Sequence, residues 1–227
     1  MKWSKSSIFT DMNQFNSILI IGKVWPEPKS SAAGTRMMQL IHLFLEQNYK
    51  ITFACAAKKT EFQEDFAQFP IDLVEIKLND AGFDDFVKNT NPEVVVFDRF
   101  MTEEQFGWRI IENCPNALRI LNTEDLHFLR DARQASIKNA SDFNPHETSH
   151  YDFDKTSREI AAIYRCDITL LVSEFEMELL KDTFQVPEHL LNYLPVLSSN
   201  YCAKIPEMTE RNDFMFIGNY LHEPNWD

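Results

Sequence analysis

Three groups of residues have types and spacings that could do chemistry. His146-Glu147-Thr148-Ser149-His150 fits the H-E-x-x-H pattern. On a helix that pattern sets two imidazoles on one face to bind zinc, with the glutamate placed to activate a metal-bound water. Asp98-Arg99 closes one apolar run, and Glu124-Asp125, with His127 close by, closes another. Charged residues just past the end of a buried strand cost desolvation free energy unless they face a cleft or pair with each other. They therefore either line a ligand site or act as caps, Asp98–Arg99 on the sheet and Glu124-Asp125 on the next helix, where negative charge meets the dipole. Arg130 and Arg133 follow at i, i+3, placed to pair with Asp125 and Asp131 or to face an anionic group.

The elements that must position these residues alternate along the chain. Ser17 to Gly22 reads as a buried strand. A loop with two prolines follows, and then a helix whose Met37, Leu40, Ile41, Phe44 and Leu45 make one apolar stripe. Strands are predicted at Ile51–Cys55, Ile71–Leu78, Glu93–Phe97, Leu118–Leu121, Ile168–Val172 and Leu190–Leu194. Helices are predicted at Phe83–Lys88, from Thr102 to Asn113, from Leu126 to Asn139, from Ser157 to Tyr164 and from Ser173 to Phe184. Thr102 with Gln105 and Ser173 with Glu176 have capping-box spacing. Ser141 to Asp154 is polar and patternless, a loop. Strand–helix alternation predicts an α/β fold, a doubly wound parallel sheet with right-handed crossovers. Ligands of such sheets bind outside the carboxyl ends of the strands, which is where Asp98, Glu124 and the loop before Gly34 fall.

The zinc pattern sits in poor surroundings. Asn144-Pro145 precedes it, Tyr151-Asp152-Phe153-Asp154 follows, and no apolar stripe would bury such a helix. A solvated loop is the better reading, so no metal and no cofactor is expected. Trp108-Arg109 after Gly107 reads as packing. The five glycines are isolated, so neither G-x-G-x-x-G nor G-x-x-x-x-G-K-[ST] is present, and no G-x-S-x-G elbow exists. This argues against a dinucleotide-binding or nucleoside-triphosphatase unit and weakens a hydrolase reading.

The 227 residues carry a formal charge of −13, with 44% hydrophobic and 25% charged residues. That is ordinary globular composition without the basic face that nucleic acid needs, so no nucleic-acid partner is expected. Cys55, Cys114, Cys166 and Cys202 form no C-x-x-C pair and read as reduced thiols of a cytoplasmic protein. No apolar run reaches the roughly 20 residues of a membrane span; peripheral membrane contact stays open. The predicted organisation is a polar leader over 1–16, the Rossmann-like unit over 17–197 and a linker over 198–212. The first strand and turn of a truncated second domain occupy 213–227.

Several of these segments together resemble bacterial GT-B glycosyltransferases of the retaining, family-4 kind. Gly22-Lys23-Val24-Trp25-Pro26-Glu27-Pro28 with Ser31-Ala32-Ala33-Gly34-Thr35-Arg36 looks like that family's first loop. Asn122-Thr123-Glu124-Asp125-Leu126-His127 is similar to the segment after its fifth strand. Val172-Ser173-Glu174-Phe175-Glu176 resembles the strand-end serine before a late helix. Phe216-Ile217-Gly218-Asn219 with His222-x-Pro224-Asn225 looks like the opening of the donor-binding domain. The resemblance implies the acceptor-side half of an enzyme that moves a sugar from a nucleotide-sugar to a sugar or lipid-linked acceptor. It puts Ser31, Ala33, Gly34 and Thr35 near the donor phosphates, Asp98, Arg99 and Glu124 on the acceptor side, and Gly218 and Asn219 at the start of the donor loop. Asp125 and His127 become the catalytic candidates. Two departures stand out: the first loop is poorer in glycine than the family's, and Glu124 stands where many relatives carry histidine. The half alone is expected to be inactive. A non-enzymatic sugar- or anion-binding domain is the alternative, and a zinc hydrolase on His146 and His150 a third reading.

Overall fold

The computed structural model describes residues 16–196 and 207–214. Seven parallel strands form one sheet in the order β3-β2-β1-β4-β5-β6-β7. They are β1 (Ser17–Gly22), β2 (Lys50–Cys55), β3 (Ile71–Glu75), β4 (Val94–Asp98), β5 (Leu118–Asn122), β6 (Ile168–Leu171) and β7 (Leu191–Tyr193). The helices are α1 (Ala32–Glu46), α2 (Gly82–Thr90), α3 (Phe100–Asn113), α4 (His127–Asn139), α5 (Phe153–Arg165) and α6 (Glu174–Asp182). The order reverses between β1 and β4, which puts the topological switch point at their carboxyl ends.

Period-two alternation in the central strands builds two cores. Leu19 and Ile21 of β1 join Val95 and Phe97 of β4 on one face, packed against residues of α2 to α6 such as Phe106, Phe128, Ile163 and Leu179. Ile18 and Ile20 join Val94 and Val96 on the other, under Met37, Leu40, Ile41 and Phe44 of α1. The helical cover is therefore unequal, five helices against one. The central strands β1 and β4 are buried on both faces, which is why they read as continuous apolar runs and not as alternating ones.

Most predicted elements are present, with shifted ends that have local causes. Helix α3 starts at Phe100, not at Thr102: the Thr102 hydroxyl donates to the Asp98 and Arg99 carbonyls inside the first turn, so the Thr102–Gln105 capping box does not form. Ser173 does cap α6, taking the Glu176 N–H, but the Glu176 carboxylate turns away to another helix, so only half of that box exists. Helix α5 begins at Phe153 within the predicted loop, because the Asp152 carboxylate caps it by accepting the Lys155 N–H. Strand β3 ends at Glu75, three residues early. Trp108 is half exposed, whereas Arg109 forks onto Asp84 at 2.6 and 2.7 Å and ties α3 to α2. Cys55, Cys114 and Cys166 are buried free thiols. Gly218 and Asn219 lie outside the described residues, as does the predicted strand after Phe214. Among the described residues no helix is long and apolar enough to cross a membrane.

Candidate functional site

The carboxyl edge at the switch point carries two differently built walls. The first is the loop between β1 and α1. Ser31 caps α1, its Oγ accepting the Gly34 N–H at 3.0 Å. The Thr35 hydroxyl donates to the Pro28 and Ser31 carbonyls at 2.9 and 3.2 Å. A Cβ on Gly34 would stand 2.4 Å from the Glu27 carbonyl carbon and oxygen, so glycine is required there for the loop to cross its own helix. Of the four first-loop residues named from sequence, Ser31, Gly34 and Thr35 thus spend their polar groups within the loop. The amides of Ala32 and Ala33, in the first helical turn, lack an intrahelical acceptor as every such amide does. The Thr60 and Ser30 hydroxyls hold the partly buried Glu27 carboxylate below its usual range, which keeps a negative charge in this loop.

The second wall is a buried charged cluster at the ends of β4 and β5. Asp98 accepts the Lys23 N–H at 3.1 Å through Oδ2, and its Oδ1 lies 3.9 Å from Arg99 Nε. Arg36, from α1 and only 2% exposed, donates from Nε to Asn122 Oδ1 at 3.2 Å and from Nη1 to the Leu194 carbonyl at 2.8 Å. Its Nε is also 3.9 Å from Glu124 Oε1, which accepts from Asn122 Nδ2 at 2.7 Å. One guanidinium thereby links the first helix, the fifth strand and the chain leaving β7. Arg36 Nη2, Asp98 Oδ1 and Arg99 Nε are buried with no hydrogen-bond partner.

Burial dominates the electrostatics of this cluster. It pushes the Asp98 carboxyl up against the pull of Arg99 and the Lys23 N–H. It pushes Glu124 up to about 7, and the neighbouring Asp98 charge adds to that rise. It draws the Arg36 guanidinium below the usual arginine value, while Glu124 and Asp98 act in the opposite sense. The backbone is unusual at the same two strand ends: Arg99 has φ 72° and ψ 157°, a region essentially reserved for glycine, and Glu124 has φ 63°.

Asp125 and His127 stand beside this cluster. Asp125 pairs with Arg130 at 2.5 Å, whereas Arg133 lies over the Phe175 ring. His127 is buried, with Nδ1 3.3 Å from Glu159 Oε1 and Nε2 4.0 Å from Asp125 Oδ1. Glu124 and Asp125 do not cap α4. Two carboxylates from other helices do so: Glu159 of α5 accepts the His127 and Phe128 N–H at 3.1 and 3.0 Å, and Glu176 of α6 accepts that of Leu126 at 3.2 Å. The protein's own side chains therefore fill the helix start after β5, where an anion could otherwise sit. Glu176 is raised to about 7, chiefly by burial, and its Oε2 has no partner.

Arg36 and Asn122 are polar groups that reading by residue type did not single out. Glu176 had a signal, three residues after a capping serine, but its partner lies fifty residues upstream. The H-E-x-x-H segment is an exposed 3-10 turn over Thr148–His150. His146 meets the Thr183 hydroxyl and His150 meets Glu147, so the two imidazoles do not converge. Among the described residues no group of three His, Cys, Asp or Glu side chains could hold a metal. A groove of about 600 Å³ lies at the opposite, amino-terminal edge, lined by Ser17, Lys50, Asp72 and Asn89; its Lys50–Asp72 pair is solvent-exposed.

No protein-family model matches the chain, and no curated protein matches it. Solved structures do. The apo form of the lipopolysaccharide outer core galactosyltransferase WaaB is 15% identical with a TM-score of 0.50, covering 85% of this chain and 49% of its own. UDP-N-acetylglucosamine 2-epimerase from Rickettsia bellii is 9% identical with a TM-score of 0.49, over 79% of this chain and 44% of that one. A short-chain dehydrogenase/reductase from Veillonella parvula in complex with NADP is 15% identical with a TM-score of 0.42, over 69% of each chain. The chain spans about half the length of the galactosyltransferase it matches. What the chain shares with that enzyme is the fold: a Rossmann-like parallel α/β sheet of the kind that makes up one half of a GT-B glycosyltransferase.

Proposed function

We propose that this chain is the acceptor-side half of a retaining GT-B glycosyltransferase of the family-4 kind, and that the whole protein moves a sugar from a nucleotide-sugar to a glycan, lipid or other small acceptor. The observation that carries the reading is the charged cluster of Arg36, Asp98, Arg99 and Glu124 at the switch point. Buried polar atoms without partners stand where open α/β sheets bind ligands. The likeness in fold to a galactosyltransferase supports it, as do the family-like segments in sequence order.

In this reading Asp98, Arg99 and Glu124 face the acceptor. The free first-turn amides of α1 at Ala32 and Ala33, next to Ser31, Gly34 and Thr35, face the donor diphosphate across the cleft. Asp125 and His127 flank the reacting groups, with Glu159 orienting the imidazole through Nδ1. The donor site belongs to a second unit opening at residues 213–227, with Gly218 and Asn219 in its first loop. Transfer needs stabilisation of a positive ring and of the departing diphosphate, and the second unit supplies most of it. The test is nucleotide release from UDP-, GDP- and ADP-hexoses in the presence of simple sugar acceptors. The 227-residue chain is expected to release none, and the product of a longer reading frame to turn over. Robust turnover by the 227-residue chain alone overturns the half-site reading.

A further inference from the structure

The cluster has an outward and an inward layer. Glu124 and Arg99 side chains are 12% and 22% exposed, whereas those of Arg36 and Asp98 are 3% and 7% exposed behind them. Glu124 is fixed at one oxygen only: Oε1 takes Asn122 Nδ2 and faces Arg36, and Oε2 has no hydrogen bond among the described residues. The Asn122 contact holds Oε1 on the Arg36 side of the carboxyl. With both carboxyls ionised the charges balance, two guanidiniums against two carboxylates, and Arg36 spends Nε and Nη1 inward on Asn122 and Leu194. An incoming anion would meet the free oxygen of Glu124 with Asp98 behind it, and one outward cation of the described cluster, Arg99, to receive it. A hydroxyl suits the same surface, because it donates to a carboxylate and accepts from a guanidinium.

Resting on the acceptor-side reading, we infer that Glu124 Oε2 and the Arg99 guanidinium bind adjacent hydroxyls of a neutral sugar, and that the site rejects acceptors carrying phosphate or sulfate there. The charged groups facing Glu124 are Asp98 from β4, Arg36 from α1 and Arg99 at the start of α3, and His127 from α4 acts on Asp98. Because Glu124 titrates near 7, it changes from acid to carboxylate between about pH 6 and about pH 8. A hydrogen bond to the ionised form is roughly twice as strong as one to the neutral form. Binding of a neutral sugar therefore tightens as pH rises, and binding of an anionic sugar weakens.

Calorimetric titration of the 227-residue chain tests this, with methyl α-hexopyranosides of gluco, galacto and manno configuration and with glucose 6-sulfate, whose charge is constant over the range. The expected result is a hexoside whose affinity rises about five-fold from about pH 6 to about pH 8, with the sulfate ester at least ten-fold weaker at the higher pH. Glu124→Gln keeps an acceptor for Asn122 and is expected to abolish the pH response. A sulfate ester that binds as tightly as the hexosides overturns the inference and leaves the acceptor-side reading intact. So does a pH response that persists in Glu124→Gln. Absence of binding by any of these sugars overturns both. If the variant fails to fold, the opposite pH trends of the two ligand classes on the unaltered protein still decide the matter.

Discussion

The two walls of the carboxyl edge are built on opposite terms. In the first loop, the Ser31 and Thr35 hydroxyls are spent on the Gly34 amide and on loop carbonyls, and Gly34 lets the Glu27 backbone lie directly on α1. In the cluster at the ends of β4 and β5, three buried polar atoms have no partner and two residues sit at positive φ. Each unsatisfied buried group costs roughly 1–3 kcal/mol, and each strained backbone a similar amount. Such costs persist only where the surroundings over-determine them. The loop closes on itself except at the first-turn amides of Ala32 and Ala33, whereas the cluster holds buried side-chain polar capacity that a ligand can satisfy.

The largest expected effect breaks the cluster. Arg36→Met removes the hydrogen bonds to Asn122 and Leu194 and leaves Glu124 without its buried counter-charge. A loss of about 4 kcal/mol is expected in urea unfolding, in the range for removing one partner of a buried pair. A loss under about 1 kcal/mol would put Arg36 among solvated surface charges and erase the difference between the walls. The next effect breaks the loop. Gly34→Ala drives a methyl into the Glu27 backbone, which cannot rotate away as a side chain could. About 3 kcal/mol is expected, the upper end for overpacking. A variant as stable as the parent would show that the loop is not closed on itself.

Proton linkage sharpens the contrast further. Glu124 and Glu176 are both raised to about 7, so the folded protein holds protons that the unfolded chain loses near the ordinary value of 4.5. The folded state then binds more protons than the unfolded state, and stability falls as pH rises through that interval. It levels off above about pH 7, with a loss on the order of 3 kcal/mol for each carboxyl. Urea midpoints measured from about pH 5 to about pH 8 check the sign. Glu124→Gln and Glu176→Gln are each expected to remove one share of the slope. Stability that rises over this interval would contradict both assignments.

The fold was legible because β1, β4 and β5 are apolar runs ending in polar residues, and periodicity and desolvation both mark such ends. For the same reason Asp98, Glu124 and Asp125 could be placed at the correct edge from sequence. What they touch could not be read. Arg36 reaches a residue 158 positions away through a carbonyl, which no side-chain pattern encodes. The caps on α4 come from Glu159 and Glu176, so the local expectation that Glu124-Asp125 would cap it gave way to tertiary contacts. That the missing side chain of Gly34 makes room for the Glu27 backbone is a contact between two loop positions that no residue pattern encodes. Spacing finds the strand end, and three-dimensional packing decides which polar group turns inward.

Arg99 gives the smallest effect and the finest separation of scaffold from site. Its φ of 72° and ψ of 157° fall where glycine alone is unstrained, yet its N–H is fixed to the Asn122 carbonyl at 2.8 Å and it opens α3. Glycine at this position keeps that backbone bond and relieves strain of roughly 1–3 kcal/mol. It also loses the attraction to Asp98 across 3.9 Å and frees the unfolded chain, both of which offset the gain. Arg99→Gly is therefore expected to stabilise the protein by about 1 kcal/mol in urea unfolding. The same variant is expected to lose neutral-hexoside affinity, since its guanidinium is the outward cation of the cluster. A gain in stability coupled to a loss of binding marks strain kept for a ligand. Destabilisation would mean that the guanidinium is structural, and the cluster would then differ from the first loop in chemistry only, not in purpose.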